Sequence, residues 1–339
     1  MKKISFYCRV ITPMFIAGAD GMAAEIRPSS FKGVLRYWWR SLNGGLLLEN
    51  LKKKEAHIFG SSDEKVGRSM VVIRISEYNF IPSKDKLPIH NINVNSNSKV
   101  INVLDYLAFG VVQSSDRYYI PVDSNFTVTL LFSDKLNENE ISEVIDAFYC
   151  IAYIGGIGAK SRNGYGRFSI TSIDGIDKYN QLSNFDYLIS VIKNKSSIEY
   201  AKYTAFSKHT KFYKLQNDFN SWNSCLAAIG KIYRKSRLDI EPKHIYNKRI
   251  YIGSPIIQNR TSAMLNRHSK THFITVIKEN DKYYAYIIFI PYRYCVDAKR
   301  DDFHIASKSD VNDLFNEYIK ATKEFNAKII ENGLKEEKL

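Results

Sequence analysis

Apolar and polar residues alternate from the start of the chain: Ile4, Phe6, Cys8 and Val10 interleave with Ser5, Tyr7 and Arg9, and this period of two predicts a strand over 3–12. Arg9 interrupts the run that follows Met1-Lys2-Lys3, so the pattern is that of a strand and not of a signal peptide. Thr12-Pro13 and Gly18-Ala19-Asp20-Gly21 bring turn chemistry. The period then becomes helical. Phe31, Leu35, Trp38 and Leu42 recur at i, i+4, i+7 and i+11, with Ser29 or Ser30 as cap after Pro28, and Asn43-Gly44-Gly45 as an end or a kink. Lys32, Arg36 and Arg40 form a basic stripe beside that apolar face. Gly33 inside the helix costs up to ~1 kcal/mol relative to Ala, and predicts close approach of another backbone.

Ser69–Ser76 and Asn125–Phe132 read as strands, and Pro82–Lys99, rich in Asn, Ser and Lys, as an exposed loop or insertion. A helix over 139–154 has Asn137 or Asn139 as cap, Glu138 and Glu140 in its first turn, and Ile141, Val144, Ile145, Phe148 and Ile151 on one side. Gly155-Gly156 stops it, and a strand starts at Phe168. Strand, helix, strand, strand, helix, strand is the ferredoxin-like order, which predicts a first domain over 1–176. In the second half a short strand near 199–206, a helix over 219–235, a hairpin across Glu279-Asn280-Asp281 and a helix from Asp310 to Ile330 suggest a divergent copy over 199–332 with a basic insertion. The fold class is therefore α+β: tandem ferredoxin-like (RRM-like) βαββαβ domains with insertions.

Composition narrows the field. With 339 residues, 45% of them hydrophobic, the chain is neither disordered nor fibrous, and its length suits two domains. Cys8, Cys150, Cys225 and Cys295 stand apart with no CxxC, which removes a zinc cage and a dense disulfide framework and fits a reducing, cytoplasmic compartment. The longest apolar stretch, Tyr283 to Tyr292, is about half the ~20 residues of a membrane helix, so no membrane partner is expected. The formal charge is +14 and it is regional: Glu199 to Lys270 holds 14 Lys and Arg against four acids. Tyr203, Phe206, Phe212, Tyr213, Tyr233, Tyr246 and Tyr251 are interleaved with those cations. Such a region suits a polyanion whose phosphates pair with cations and whose bases stack on rings; the alternative is a solvated, lysine-rich surface.

Candidate chemistry centres on Gly-Gly-Ile-Gly-Ala-Lys-Ser-Arg-Asn-Gly-Tyr-Gly-Arg at 155–167. It is not a Walker A loop, because Ala159 precedes Lys160-Ser161, and not GxGxxG, because Gly156-x-Gly158 leads to Ser161; it also follows a helix instead of opening one. Its five glycines in twelve positions allow close main-chain approach, and Lys160, Arg162 and Arg167 come without an acid. Phosphate contact through Gly156, Gly158, Lys160, Ser161, Arg162, Gly164, Tyr165 and Arg167 is one reading, and a hairpin made for packing is the other. Trp38 reads as core, Trp39 as core or as a stacking surface. His268-Ser-Lys-Thr-His272 lacks the Glu of HExxH, so no metal or other cofactor is assigned. His57, His209 and His268 are either bystanders or general acid/base groups for metal-independent RNA cleavage, and no residue is assigned as catalytic.

Four segments carry a resemblance: Ile-Thr-Pro-Met-Phe-Ile-Ala-Gly-Ala-Asp (11–20), Glu-Ile-Arg-Pro-Ser-Ser-Phe-Lys-Gly-Val-Leu-Arg-Tyr-Trp-Trp-Arg (25–40), Ile-Phe-Gly-Ser (58–61) and the glycine-rich loop. Together they resemble the RAMP proteins of CRISPR systems. The tryptophan-rich helix resembles, more narrowly, the first RAMP subunit of the type III-B (Cmr) effector complex. The second half matches only loosely, through its basic character and Arg267-His-Ser-Lys. The resemblance implies tandem ferredoxin-like domains in an antiviral ribonucleoprotein that captures single-stranded target RNA by pairing it to a guide RNA. The chain would sit beside other Cmr RAMP subunits, at the end that holds the guide's 3′ region. It further implies that Lys32, Arg36, Arg40, Lys160, Arg162 and Arg167 contact RNA or neighbouring subunits, and Trp39, Arg267 and Lys270 join them as RNA-binding candidates. The expected function is non-catalytic RNA binding; the rival readings are a RAMP-type endoribonuclease that processes guide precursors, and a scaffold that grips only proteins.

Overall fold

The structure is a computed structural model that describes residues 1–18, 20–62, 67–93, 100–112, 117–175, 185–242, 245, 247–253, 269–293 and 308–337. In chain order its elements begin with β1 (Lys2–Val10), α1 (Pro28–Leu42), α2 (Leu48–Phe59), β2 (Val71–Asn79), β3 (Asn91–Asn93), β4 (Val100–Asn102), α3 (Val103–Leu107) and β5 (Asn125–Phe132). Next come α4 (Glu138–Cys150), a π-helical turn (Ile151–Gly155), β6 (Phe168–Asp174), α5 (Phe185–Lys195), β7 (Lys211–Leu215) and α6 (Trp222–Asp239). The last are α7 (Arg249–Ile252), β8 (His272–Glu279), β9 (Lys282–Phe289), α8 (Lys308–Glu331) and β10 (Leu334–Glu337).

The first sheet is antiparallel in the order β2-β5-β1-β6, the ferredoxin-like arrangement. Phe6 of central β1 lies opposite Val128 of β5 and Ile173 of β6. One face of this sheet is covered by α1 and α4: Phe6 stacks on Phe148 at 4.2 Å between ring centroids, and Phe31, Phe126 and Phe168 close around them. The other face carries Ser5, Tyr7 and Arg9, which is why the alternation of β1 is so clean. Helix α4 starts with a capping box: the Asn137 side chain accepts from the Glu140 N–H, and the Asn137 N–H donates to the Glu140 carboxylate. Helix α1 starts differently from the sequence expectation. Pro28 occupies its first position with Arg27 extended before it, so Ser29 and Ser30 lie inside the first turn and cap nothing.

The second sheet repeats the arrangement in the order β10-β7-β9-β8, with α6 and α8 as its helices. Both of its faces are buried. Phe212, Phe273, Ile277 and Ile288 join the core of the first sheet, while Ile274, Val276, Ala285, Ile287 and Phe289 pack with residues of α6 and α8. That double burial explains why 273–277 and 283–290, on either side of the turn, are apolar but for Thr275 and show no alternation. The strand expected near 199–206 is absent. Those residues bond to the end of α1, with the Phe206 N–H donating to the Ser41 carbonyl and the Ser41 hydroxyl to the Thr204 carbonyl, so their backbone groups are satisfied without a ladder. The first strand is instead Lys211–Leu215, and the four-residue edge strand β10 follows Gly333 at φ 111°. Of the expected loop 82–99, residues 94–99 lie outside the described residues; next to them β3, β4 and α3 form an insertion, and Val103 and Leu107 of α3 press on Gly230 of α6. No described helix is long and apolar enough to cross a membrane.

His272 opens β8 fully buried between Phe289 and Phe325, and its two ring nitrogens are engaged by Thr271 (3.0 Å) and Asn326 (2.8 Å). It is therefore not a free metal ligand, and no cluster of three or more His, Cys, Asp or Glu suited to a metal exists among the described residues. Burial pushes its pKa down to about 3, against an ordinary ~6.5. Because the unfolded chain binds that proton more readily, stability is complete above ~6.5 and is lost as the pH falls toward 3. Denaturant unfolding between about pH 7 and about pH 4 is expected to show a steeper loss of stability for the wild type than for His272→Gln, whose side chain does not titrate. Parallel curves would contradict this assignment.

Candidate nucleic-acid interface

The glycine-rich loop is threaded between two stretches of main chain. The Ala159 N–H donates to the Phe15 carbonyl (2.8 Å), the Gly166 N–H to the Pro13 carbonyl (2.9 Å) and the Ile157 N–H to the Gly166 carbonyl (2.9 Å). At this spacing side chains do not fit: a Cβ on Gly166 (φ 68°) would stand 1.9 Å from the Ile157 carbonyl oxygen, and one on Gly158 (φ 90°) 2.6 Å from that of Phe15. Gly164 meets Leu226 of α6 at 2.5 Å in the same way. Gly164 and Gly166 thus serve packing, whereas Gly156 and Gly158 also border a cleft. The tip of the loop then covers the outer edge of β8, where the Ile274 N–H donates to the Arg162 carbonyl (3.1 Å).

The loop gathers cations at this junction. Arg162 donates to the Lys270 carbonyl (3.1 Å) and the Tyr37 hydroxyl (3.3 Å), and its guanidinium lies over the rings of Phe273 (4.9 Å) and Tyr37 (5.6 Å). The Lys270 ammonium donates to the Asn163 side chain (2.5 Å) and sits 4.2 Å above the Tyr233 ring. Burial, and after it Arg237, Arg162, Lys160 and Arg167, hold its pKa well below the ordinary lysine range. All four of these charged groups are cations. None of Lys160, Arg162, Arg167 and Lys270 pairs with a carboxylate among the described residues.

Several expected RNA contacts are corrected by their burial. Arg167 is fully enclosed: its guanidinium donates to the carbonyls of Ser161 (2.9 Å) and Ile274 (2.6 Å), its Nε and Nη1 find no partner, and burial pushes its pKa down to about 9. Tyr165 is buried with its hydroxyl on the Leu104 carbonyl (2.8 Å), and Trp39 is buried with its indole N–H on Glu143 (3.1 Å), which settles its two readings as core. Arg36 and Arg40 remain partly exposed but converge on one oxygen of Glu55, at 2.7 and 2.6 Å, clamping α1 to α2. Lys32 lacks such a partner among the described residues; partial burial and then Arg36 lower its pKa. Arg267 and His268 lie outside the described residues.

The cleft has a volume of about 260 Å³. On the helix side it is bounded by Gly33, Val34, Tyr37 and Trp38, and across from them by Gly155, Gly156 and Gly158, with Ser161, Arg162 and Phe273 at the junction. Gly33 therefore plays the reverse of its expected role: a Cβ there would meet nothing within 4 Å. Sequence reasoning places Tyr233 and Arg237 only within the broad basic, aromatic region and does not single out Tyr37 or Phe273, since nothing in their local spacing separates them from core or solvated positions. Cys8, Cys150 and Cys225 are buried with raised pKa values, so none of these three is a nucleophile.

Residues 7–169 match the model of the RAMP superfamily. Over those residues the chain is similar to the RAMP superfamily. The CRISPR system Cmr subunit Cmr1-2 of Pyrococcus furiosus is 29% identical over 189 residues, which span 50% of this chain and 96% of that relative. Cmr1-1 of the same organism is 28% identical over 152 residues, 43% of this chain and 40% of that relative. In fold, this chain is similar to the crystal structure of apo Cmr1 from Pyrococcus furiosus, with a TM-score of 0.60 and 19% identity over 95% of this chain and 97% of that one. It is also similar to a chain of the cryo-EM structure of type III-B Cmr-beta bound to cognate target RNA, with a TM-score of 0.57 and 12% identity over 94% of this chain and 99% of that one. These likenesses extend the tandem ferredoxin-like architecture beyond the segment that matches the RAMP model.

The buried and the partly exposed cations of the loop are expected to separate in stability. Arg167→Ala leaves a cavity and two unpaired carbonyls, for a loss of about 2–4 kcal/mol in denaturant unfolding, whereas Lys160→Ala stays within ~0.5 kcal/mol. Gly166→Ala is expected to cost about 3 kcal/mol through its backbone conformation and the Ile157 carbonyl.

Proposed function

We propose that this chain is an RNA-binding subunit of a type III-B CRISPR ribonucleoprotein that helps capture target RNA on a guide RNA beside other Cmr subunits, and that its own part is binding and not cleavage. The observation that carries this reading is the group of cations without a carboxylate among the described residues, Lys160 and Arg162 of the loop and Lys270 docked against it, at a loop that borders an open cleft. Cations held together against their mutual repulsion, one of them with a depressed pKa, gain most from a polyanion, because each phosphate both pairs with them and lets counterions go. The partly exposed Tyr37 ring and the Arg162 guanidinium plane suit unpaired bases more than a duplex. The position near the guide's 3′ region rests on the resemblance of residues 25–40. Capture without cleavage rests on the same resemblance.

The test is RNA binding by the purified chain across a salt series, with single-stranded RNA, duplex RNA and single-stranded DNA in parallel. Single-stranded RNA is expected to bind best and remain uncut. A Lys160→Ala/Arg162→Ala/Lys270→Ala variant is expected to flatten the log-log salt slope by about two units, at roughly 0.7 for each phosphate that is no longer neutralised. Cut RNA would establish the endoribonuclease reading, and unchanged weak binding would leave a protein-gripping scaffold.

Lys270 adds a pH dependence. A phosphate favours its charged form, so its pKa rises on binding, protons are taken up and affinity falls as the pH rises through the free-state pKa. Calorimetry in buffers of different ionisation enthalpy is expected to show this uptake for the wild type and not for Lys270→Arg, which stays charged throughout.

A further inference from the structure

We infer that the cleft between α1 and the glycine-rich loop holds a single unstacked nucleobase of the bound RNA. This rests on the RNA-binding reading and goes beyond it, because it assigns a base pocket next to the phosphate contacts.

Size is the first argument. At about 260 Å³ the cleft lies just under the ~300 Å³ at which pockets for drug-sized molecules begin, room for a planar ring system and not for a folded oligonucleotide. The chemistry of its walls is the second. Tyr37 and Val34 provide partly exposed apolar surface, the buried Phe273 ring forms the floor beneath, and the Arg162 guanidinium that lies over both rings offers the planar cation on which splayed-out RNA bases also stack. Polar groups sit among these surfaces: the Tyr37 hydroxyl, already taking a hydrogen bond from Arg162, the Ser161 side chain, and the Trp38 indole N–H, which makes no hydrogen bond among the described residues. A mostly apolar slot with a few convergent polar groups fixes the orientation of an aromatic ligand.

Gly33 is the third argument. A glycine in the middle of a helix costs up to ~1 kcal/mol relative to Ala. Here packing does not demand it, since a Cβ would meet nothing within 4 Å. What the missing side chain leaves is the open cleft itself, in contrast to Gly166, where the neighbouring carbonyl excludes any other residue. Arg162 joins the two halves of the site: its guanidinium borders the cleft and its charge acts on Lys270. A nucleotide whose phosphate lies on the cations thus has its base within reach of the rings.

The test uses the full chain and three probes: a short single-stranded RNA, an abasic RNA of the same length, and the same RNA with 4-thiouridine for photo-crosslinking. Wild type is expected to bind the base-bearing RNA about tenfold more tightly than the abasic one, and 4-thiouridine is expected to crosslink to peptides containing Tyr37 or Phe273. Gly33→Leu, whose side chain fills the cleft, is expected to bind both RNAs at the abasic level with an unchanged salt slope, and Gly33→Ala is expected to unfold at higher denaturant than wild type. If wild type binds both RNAs equally, or if Gly33→Leu keeps the tenfold preference and the crosslinks fall elsewhere, the base pocket is refuted while the phosphate contacts stand. If neither RNA binds above the level of an unrelated basic protein, the RNA-binding reading fails and the pocket with it. Crosslinking reads the wild type alone, so the inference is decided even if Gly33→Leu does not fold.

Discussion

The junction of the two sheets depends on main chain meeting main chain along the glycine-rich loop. Gly158 and Gly166 lie so close to the carbonyls of Phe15 and Ile157 that a single methyl group would part them. That contact brings residues 160–164 to the edge of β8, where the Arg162 carbonyl takes the Ile274 N–H. Arg167 then closes the joint from inside, bridging the Ser161 and Ile274 carbonyls without an acid to balance it. Burying an uncompensated guanidinium is unfavourable, so its persistence means that surrounding packing over-determines its place.

From that joint follows the division of labour among the cations. Arg36 and Arg40 share the one carboxylate of Glu55 and stitch α1 to α2; Arg167 is sealed in the junction; Arg162 borders the cleft, and Lys160 and Lys270 lie near it with no carboxylate partner among the described residues. A chain with +14 overall does not need each cation for a ligand. The three that the fold crowds together without a counter-charge are the ones with free energy to gain from an anion. Rigid loop geometry also means that this arrangement exists before any ligand arrives, which lowers the ordering cost of binding.

Legibility in the sequence followed burial. The helices α1 and α4 were plain in their spacing, because each has one covered face, and so was β1 in a sheet covered on one side only. The second sheet is covered on both sides, so β8 and β9 gave no alternation, and their recognition depended on the turn at Asn280-Asp281. The segment 199–206 misleads by its apolar residues: Ala201, Ala205 and Phe206 are buried, but against the first domain and not in a ladder. For the site, the loop and Lys270 were visible as acid-poor basic sequence. Tyr37 and Phe273 were not, because residues 236 positions apart in the chain meet only through the docking of the loop on β8.

Local physics therefore determined what each segment is: periodicity decided helix or strand, glycine and asparagine decided the stops, and charge without acid marked the loop. Tertiary structure alone decided what each residue is for. Arg162 and Arg167 are five positions apart in one basic loop, yet one faces a cleft and the other is sealed inside; Gly33 and Gly166 are both glycines, yet one leaves a space and the other allows a main-chain contact. The reason is that a residue's chemistry is set by which surfaces exclude water and charge around it. Those surfaces come from the second domain, more than a hundred residues downstream of α1, and no local pattern encodes their approach.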